Sequence, residues 1–421
     1  MPLYFSKKVH LKTGTLTHRS ACLKAVNIKE LGSEDEATCA ANPSGDNAER
    51  AKGLSERSDH KIFNKEFAGK SVLITGGMGF IGSNLAIRLA EAGAKVTILD
   101  AMIPDYGGNE FNITPMINQL RVNYCDIRDE TAVNYLVKDK DFIFHLAGQV
   151  CHLMSMSNPF PDIEMNITGT AVLMEACRKY NPKAIVVYTG TRGQYGPSVT
   201  LPVSEEAPTN PKGIYEISNL TAEKIIKVYN DAHGIKSVML RLTNIYGPRS
   251  QMMHSRFGVC NWFVRLAMDN EKIQVFGDGS ILRDFCYVDD CVEAILRLAL
   301  TPKAYGEIFN VGSDIPVNFI ELAETILKVA KRGSWEFAEF SPERKAQEPG
   351  DSYLDITKIK WFTGWQPTIS LEEGLTKTVA YYSRYGHHYW LMKYPPVQSD
   401  AVSTHTQTTA PDPVKALSLS Q

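Results

Sequence analysis

Residues Thr75–Gly82 read T-G-G-M-G-F-I-G, and they lie between two segments of different pattern. The apolar run Ser71–Ile74 before them is typical of a buried strand, and Ser83–Ala90 after them is typical of a helix. This order of strand, glycine turn and helix cradles a pyrophosphate, because the glycines let the backbone approach the ligand and the helix N-terminus presents free N–H groups. The residues predicted to make these contacts are Gly76, Gly79, Phe80, Ile81 and Gly82.

An acidic residue strengthens this prediction and selects the dinucleotide. The segment Lys95–Leu99 is typical of a second strand, and Asp100 follows it, about 20 residues after the glycines, where an acid accepts hydrogen bonds from the adenosine ribose. A carboxylate there would repel a 2′-phosphate, so the sequence predicts NAD rather than NADP. The alternative is a doubly wound domain whose glycines serve only the turn.

The composition excludes several broad classes of protein. Hydrophobic residues make up 43% of the 421 residues, which is enough for a large core. The net charge of −2 provides no basic field for nucleic acid, and no apolar run approaches the ~20 residues of a membrane-spanning helix. The eight cysteines include no C-x-x-C pair, which favours free thiols in a reducing compartment over disulfides or a metal site. We therefore expect a cytoplasmic protein that binds no nucleic acid, membrane or metal.

Both ends of the chain differ from its middle. Residues 1–29 contain six Lys or Arg and no acid, and the following polar stretch shows little periodicity. We predict a disordered extension over residues 1–67, with an organelle-targeting segment at 1–29 as the alternative. The Ser-, Thr-, Pro- and Gln-containing tail, residues 393–421, is also predicted to be disordered.

From Ala68 onward, short apolar segments alternate with longer amphipathic ones, which predicts a parallel sheet covered by helices on both faces. The predicted strands are residues 71–75, 95–100, 119–123, 141–146, 184–189 and 237–242, and the predicted helices are residues 80–92, 130–137, 161–180 and 213–233. After about residue 245 the rhythm becomes irregular. The predicted fold class is therefore α/β: a Rossmann-type doubly wound parallel sheet over residues 68–245, with a smaller interleaved C-terminal α/β substrate domain, mainly residues 246–392.

Two further strand ends suit a dinucleotide site. Asp126 follows the third predicted strand, beside Ile127, and its carboxylate can accept a hydrogen bond from the adenine amino group; a helix N-cap is an equally good interpretation. The fourth strand ends in small residues that let the backbone approach the ligand, and these are Leu146, Ala147 and Gly148. His145, which precedes them, is interpreted as a packing residue.

Further motifs give the chain a family resemblance. It resembles the nucleotide-sugar epimerase/dehydratase family of extended short-chain dehydrogenases/reductases over roughly Gly69 to Tyr382. The motifs that carry the resemblance, besides the glycine octet, are Thr191 ahead of Tyr195-Gly196, Tyr215, Arg241–Arg249, Gly277–Gly279, Arg283–Asp290, Glu343–Lys345 and Gly350–Asp351. Together they are specific for the family and less specific for one reaction.

The resemblance implies a transient oxidation of a nucleoside-diphosphate sugar. Tyr215 would remove a proton from a sugar hydroxyl while hydride passes to the nicotinamide, and Thr191 would hydrogen-bond the same oxygen. Return of the hydride regenerates the cofactor, so NAD stays bound. The alternative roles are structural: a strand-end hydroxyl bonded to the backbone for Thr191, and core packing for Tyr215.

One position departs from the family pattern. Members carry Tyr-x-x-x-Lys, and Asn219 stands at the position of the lysine. In the family this lysine binds the nicotinamide ribose and lowers the pKa of the tyrosine by its charge. Asn219 can hydrogen-bond the ribose but supplies no charge. The sequence leaves open compensation by Lys212, Arg192 or the nicotinamide charge, and it also leaves open an NAD-binding protein with little turnover.

The two residues after Thr191 bear on the reaction. Dehydratases of the family carry an Asp-Glu pair there, and related decarboxylases keep a Glu two residues after the threonine, whereas this chain has Arg192 and Gly193. Neither residue can act as an acid or base at neutral pH. The resemblance therefore favours epimerisation through a keto-sugar, and the chain is similar to the UDP-glucose 4-epimerase and CDP-paratose 2-epimerase branches without separating the two. A dehydratase, decarboxylase or reductase of the same family is the alternative.

The resemblance also implies a set of substrate contacts in the second half of the chain. Asn244 would touch the sugar or a phosphate, Arg283 and Arg344 would clamp the diphosphate, Asp351 would accept from the nucleoside ribose, and Phe276 would pack on the base. The alternatives are surface ion pairs for the two arginines and ordinary core packing for the phenylalanine.

The same family implies a homodimer. The helices predicted at residues 161–180 and 213–233 each have an apolar face, and such a pair would form a four-helix interface between two copies. Packing of these faces on the protomer's own sheet is the alternative.

Overall fold

The computed structural model describes residues 58–197 and 200–393. The predictions of disorder and targeting at the N-terminus lie outside the described residues up to residue 57. The predicted tail lies outside them from residue 394 onward.

A seven-stranded parallel sheet forms the centre of the fold, as predicted. Its strands, numbered along the chain, are β1 (Ser71–Thr75), β2 (Lys95–Asp100), β3 (Leu120–Tyr124), β4 (Phe142–His145), β5 (Ile185–Thr191), β6 (Ser237–Leu242) and β10 (Ile308–Val311). Their order across the sheet is β3-β2-β1-β4-β5-β6-β10, and all neighbours run parallel. The chain runs outward from β1 to β3 and then crosses to β4, so the winding direction reverses between β1 and β4. A crevice at such a reversal is where open α/β sheets bind their ligands.

Helices lie on both faces of this sheet and around the C-terminal half. They are α1 (Ser58–Phe67), α2 (Phe80–Glu91), α3 (Glu130–Leu136), α4 (His152–Ser157), α5 (Gly169–Tyr180), α6 (Ile214–His233), α7 (Val259–Met268), α8 (Val288–Ala299), α9 (Phe319–Ala330), α10 (Pro342–Gln347), α11 (Thr357–Thr363) and α12 (Leu371–Tyr385). The predicted helices and strands of the first half agree with these bounds to within a few residues, except for the helix predicted over residues 161–180. Strand β5 continues two residues further than predicted and ends at Thr191.

Both faces of the sheet are buried, because side chains alternate along each strand. Val72 and Ile74 of β1 belong to a hydrophobic cluster that includes Leu89 of α2. Leu73, between them, belongs to a second cluster that includes Leu173 of α5. The burial of consecutive apolar residues in opposite directions explains why β1 is a continuous apolar run rather than an alternating one.

The prediction of disorder is wrong for residues Ser58–Phe67, because these residues form helix α1. Phe63 and Phe67 are buried, and the ring centroid of Phe67 lies 5.1 Å from that of Phe142. Two residues four positions apart share one face of a helix, so this pair anchors α1 to the sheet. The signal was missed because a single pair of aromatic residues lies in an otherwise polar stretch.

The C-terminal half builds two smaller sheets and also returns to the first one. Its strands are β7 (Asn244–Tyr246), β8 (Lys272–Phe276), β9 (Leu282–Tyr287), β11 (Pro316–Asn318) and β12 (Ser334–Ala338). Strand β9 lies between β11 and β7, and β8 pairs with β12. Strand β10 pairs with β6 of the large sheet, so residues after 245 contribute to both regions. The boundaries predicted at residues 68, 245 and 392 stay predictions.

The helix predicted over residues 161–180 is interrupted near its start. Residues Ile163–Thr168 form a π-helical segment ahead of α5. The side chain of Asn166 in this segment accepts a hydrogen bond from the Gln149 N–H at 2.8 Å and donates one to the Gln149 carbonyl at 3.1 Å. Single π-helical turns of this kind occur often at functional sites, and Asn166 lines the pocket described below.

The cysteines of the described part of the chain are free and buried, as expected, and they are Cys125, Cys151, Cys177, Cys260, Cys286 and Cys291. Within residues 58–197 and 200–393, no helix is both long enough and apolar enough to cross a membrane.

Candidate active site

The glycine loop after β1 has the shape of a cradle for a phosphate group. Gly76 has φ +72°, and a Cβ there would lie 2.8 Å from the Ala147 nitrogen. A Cβ at Gly82 would lie 2.1 Å from the Gly76 carbonyl oxygen. Helix α2 begins after Gly79 with no side-chain cap, so its first N–H groups are left to a ligand. A dinucleotide pyrophosphate therefore fits this loop, because the backbone is close, open and polarised toward negative charge.

Asp100, predicted to meet the adenosine ribose, lies at the end of β2 and lines the same pocket. Its Oδ2 accepts a hydrogen bond from the Met78 N–H and its Oδ1 accepts one from the Met102 N–H, both at 2.9 Å. Burial raises the pKa of this carboxyl, and the two backbone donors act in the opposite direction. The carboxylate is thus fixed between the glycine loop and the loop after β2, with lone pairs left for ribose hydroxyls.

Asp126 and Ile127 also line the pocket, and the structure excludes one of the two interpretations of Asp126. The cap of helix α3 is Asp129, whose side chain accepts from the Thr131 and Ala132 N–H groups. The N-cap interpretation of Asp126 is therefore wrong. Its carboxylate pairs instead with Arg128, and this hydrogen bond lowers the pKa of Asp126.

The end of β4 closes the other wall of the pocket, where Leu146, Ala147 and Gly148 lie as predicted. The Thr75 hydroxyl accepts hydrogen bonds from the N–H groups of Leu146 and Ala147, at 3.2 and 3.1 Å. His145 is buried and hydrogen-bonds Thr75 and Thr170, each at 2.9 Å. Burial lowers the pKa of His145 to about 4, which suits a neutral packing residue.

Thr191, Tyr215 and Asn219 line this pocket together, although they come from a strand end and a separate helix. The Thr191 hydroxyl accepts a hydrogen bond from the Gly193 N–H at 3.1 Å, and the Thr191 and Tyr215 side chains both line the pocket. The hydrogen bond from the Gly193 N–H is the structural role that the sequence left open for Thr191. This role does not exclude a catalytic one, because Thr191 also lines the pocket. A sugar oxygen placed between the two hydroxyls could bond both.

The electrostatic surroundings of Tyr215 oppose its ionisation. Burial is the largest cause that raises the pKa of its hydroxyl, and the charge of neighbouring Glu216 is the next. The neighbouring Thr191 hydroxyl and the charge of Arg192 lower it. Glu216 is bonded through Oε1 to the Nδ1 atom of His152, whose ring packs edge-on against Tyr215 with centroids 4.8 Å apart.

Asn219 does not supply the positive charge that the lysine of the family supplies. Its amide nitrogen donates to the Tyr215 carbonyl at 2.8 Å, and its Oδ1 accepts from the Tyr188 hydroxyl at 3.0 Å. Lys224 points away and lies near Glu223, with 59% of its side chain exposed, and Lys212 is exposed. Of the compensating cations considered from the sequence, Arg192 is the one whose charge acts on Tyr215.

The residues predicted to bind substrate lie around the start of β9, beside the pocket rather than on its lining. The Arg344 guanidinium lies 4.7 Å from the centroid of Phe276, which also packs on Phe340. Arg283 is buried, donates to the Gly350 carbonyl at 2.6 Å and pairs with Glu348. This buried pairing replaces the surface ion pair considered for Arg283.

Asp351 and Asn244 complete this second group. The Oδ1 atom of Asp351 accepts from the Leu282 N–H at 2.9 Å, and the Asn244 amide donates to the Asp284 carbonyl at 3.0 Å. Arg192 connects the two groups, because its Nη1 donates to the Ser352 hydroxyl at 2.8 Å. The predicted cofactor and catalytic residues therefore share one pocket, and the predicted substrate residues form an adjoining set.

Sequence reasoning missed a buried network that supports Thr191. Gln194 donates from its side chain to Glu223 at 2.7 Å and accepts from the Thr191 N–H at 3.0 Å. Glu223 also receives two hydrogen bonds of 2.8 Å from Arg241 on β6. The signal available in the sequence was weak, since isolated Glu and Gln residues are usually exposed.

A dinucleotide fits this pocket chemically, and with the parallel sheet it defines the class of Rossmann-type dinucleotide-binding proteins. Within that class, residues 72–312 match the NAD dependent epimerase/dehydratase family, and the chain belongs to this family.

Relatives that are named for different reactions have similar sequence identities to this chain. It is 33% identical to a UDP-glucose 4-epimerase of Mycolicibacterium smegmatis, over 74% of this chain and 97% of the relative. It is 30% identical to a dTDP-glucose 4,6-dehydratase of Streptomyces niveus, over 74% and 92% of the two chains. The crystal structure of a Thermotoga maritima UDP-glucose 4-epimerase with UDP-glucose is similar at a TM-score of 0.68 and 30% identity, covering 75% of this chain and 99% of that one. The family and its NAD cofactor follow, and the individual reaction does not.

Proposed function

We propose that this protein is an NAD-dependent epimerase that inverts a hydroxyl of a nucleoside-diphosphate sugar through a keto-sugar. The observation that carries this proposal is the placement of the Thr191 and Tyr215 side chains together on the wall of the dinucleotide pocket. NAD, when bound, supplies the oxidising and reducing capacity. Tyr215 accepts the proton of the sugar hydroxyl, and Thr191 stabilises the same oxygen as its charge develops. The proton returns from Tyr215 once the sugar has turned.

The loop after Thr191 supports inversion over elimination of water. Arg192 and Gly193 offer no acid or base there, and a Cβ at Gly193 would lie 2.7 Å from the Glu216 Cγ. The same contact favours one alternative, because it brings the Glu216 carboxylate to the place where other members carry their acidic residues. A dehydratase or decarboxylase that draws its acid or base from position 216 is therefore the second candidate.

A nucleotide-sugar panel separates these functions. Purified protein is mixed with UDP-, CDP-, GDP- and dTDP-sugars in deuterated water, with products followed by NMR and the cofactor by its absorbance. Epimerisation predicts an inverted hydroxyl, no net reduced cofactor and no deuterium at carbon. Deuterium at a neighbouring carbon would instead indicate enolisation by a residue such as Glu216. Bound NAD without any turnover would favour a binding protein.

The Asn219→Lys variant tests whether the missing charge limits the reaction. The raised pKa of Tyr215 means that the rate of the natural protein increases with pH, because only the deprotonated phenol accepts a proton. A lysine ammonium near Tyr215 should lower its pKa by about 1–3 units, and the acid limb of the kcat/KM profile should move to lower pH by the same amount. The profile is measured between pH 6 and pH 11, because the pKa of Tyr215 is raised above the ordinary tyrosine value of about 10.

Asn219→Met is the matched control, because it has similar length to lysine and no charge. Its acid limb should stay where it is in the natural protein. An unchanged rate and profile in Asn219→Lys would rule out the pKa argument.

We also propose a homodimer built on α6. Ile217 and Val228 are exposed to 43% and 58%, and 11 residues along a helix bring them to the same face. Two copies of this face would cover each other around a two-fold axis.

Ile217→Glu should convert the protein from dimer to monomer in sedimentation velocity at micromolar concentration, whereas Ile315→Glu, at an exposed isoleucine elsewhere, should not. A natural protein that sediments as a monomer would contradict the proposal. The cytoplasmic location stays a prediction.

A further inference from the structure

Arg192 is a cation beside the reacting groups that lacks an anionic partner among the described residues. It is half-buried, and its Nη1 donates to the neutral Ser352 hydroxyl at 2.8 Å. In residues 58–197 and 200–393, no carboxylate comes within ion-pair distance of it. A guanidinium has five N–H donors, so most of its hydrogen-bonding capacity is left for a ligand.

The nearby carboxylates are already engaged by other groups. Asp284 receives the Thr243 hydroxyl and the Ser313 N–H. Glu348 pairs with Arg283, and Glu216 is bonded to His152. Burial lowers the pKa of Arg192 to about 10, and the charge of Arg283 acts in the same direction. Asp284, Glu348 and Glu216 therefore act on Arg192 only through space, and none of these three carboxylates contacts its guanidinium directly.

The position of Arg192 indicates which part of a ligand it would meet. It follows Thr191 directly in the chain, and Thr191 and Tyr215 hold the reacting oxygen of the sugar if the proposed function is correct. The resemblance implies that the diphosphate is bound by Arg283, on β9, and by Arg344, on α10. A neutral hexose would leave Arg192 unpaired in a partly dry site, which is unfavourable for a charge.

We propose that the sugar itself is acidic, so that the substrate is a nucleoside-diphospho-hexuronate whose carboxylate pairs with Arg192. This inference rests on the proposed function and specifies its substrate class. A planar carboxylate matches the guanidinium fork in a bidentate pair, which a hydroxymethyl group cannot form. Specificity would then come from the charge at one carbon of the sugar.

The test compares matched ligands that differ in that one group. Binding of UDP, UDP-glucose and UDP-glucuronate, and of GDP-mannose and GDP-mannuronate, is measured by calorimetry on the NAD-loaded natural protein and on Arg192→Gln. We expect the natural protein to bind one uronate about 10- to 100-fold more tightly than its hexose, which is the range for a hydrogen bond to a charged group. Arg192→Gln should remove this preference by weakening uronate binding, and it should not weaken hexose binding.

Two further variants guard against a folding artefact. Arg192→Lys keeps the charge without the fork and should restore part of the preference, while Lys212→Gln removes an exposed cation nearby and should leave it intact. Retained NAD in each variant shows that the pocket is formed.

Other outcomes overturn the inference in distinguishable ways. If Arg192→Gln weakens UDP, hexose and uronate equally, Arg192 serves the diphosphate, and the acidic-sugar inference fails while the proposed function stands. Equal binding of hexose and uronate by the natural protein would also contradict the acidic-sugar inference, and the proposed function would still stand. If none of these nucleotide sugars binds, the proposed function fails and the inference fails with it.

Discussion

Replacing Tyr215 with phenylalanine is expected to lower kcat for sugar turnover by about 10²- to 10⁴-fold, the usual contribution of a positioned acid–base group. The variant removes the Tyr215 hydroxyl from the wall of the pocket and keeps the ring that packs on His152. Because the ring and the glycine cradle are untouched, bound NAD should be retained. Steady-state kinetics and the cofactor content of the purified variant are the measurements.

Tyr229→Phe is the matched control for this variant. It makes the same change on the same helix, but its hydroxyl contacts Glu175 at 3.1 Å and does not line the pocket. Its turnover should equal that of the natural protein. A Tyr215→Phe variant with comparable turnover would remove Tyr215 from the mechanism and leave the pocket as a binding site only.

Replacing Arg241 with methionine is expected to lower the free energy of unfolding by about 3–5 kcal/mol. Arg241 and Glu223 are exposed to 2% and 1% and share two hydrogen bonds of 2.8 Å. Removing the cation would leave the carboxylate buried and unpaired, which costs far more than the pair itself contributes. Chemical denaturation at neutral pH gives the change directly.

Two comparisons show whether the cost comes from the unpaired charge. The double variant Arg241→Met with Glu223→Gln removes both charges and should recover much of the lost stability, because Gln can still accept from Gln194. Arg178→Met breaks an exposed pair with Glu175 and should change stability little. A single Arg241→Met variant that is no less stable than the double variant would mean that the burial argument is incorrect.

Arg241→Met should also affect the reaction, since the network reaches the active site. Glu223 holds Gln194, and Gln194 accepts from the Thr191 N–H. The ion pair between α6 and β6 thus positions the loop that carries the Thr191 hydroxyl.

Local pattern predicted the dinucleotide half of this protein well. The glycine octet, Asp100 and the alternating strands could be predicted because each depends on residues that are close together in the sequence. At such short separations, periodicity and glycine chemistry dictate conformation. The misses have equally local causes. A π-helical turn around Asn166 leaves no trace in a 3.6-residue pattern, and a single aromatic pair in α1 is too little periodicity to indicate a helix. The N-cap interpretation of Asp126 failed because Asp129 lies closer to the helix start.

By itself, the sequence determined the fold class, the dinucleotide cradle, and the absence of a lysine where Asn219 stands. Only the tertiary structure decided what surrounds Tyr215. Glu216 approaches Gly193 across separate elements, and Arg192 meets Ser352 across 160 residues. Electrostatic interactions depend on distance and on burial in three dimensions, and neither quantity is contained in sequence spacing. The charges that act on Tyr215, and the absence of a direct anionic partner for Arg192 among the described residues, are therefore properties of the folded chain alone.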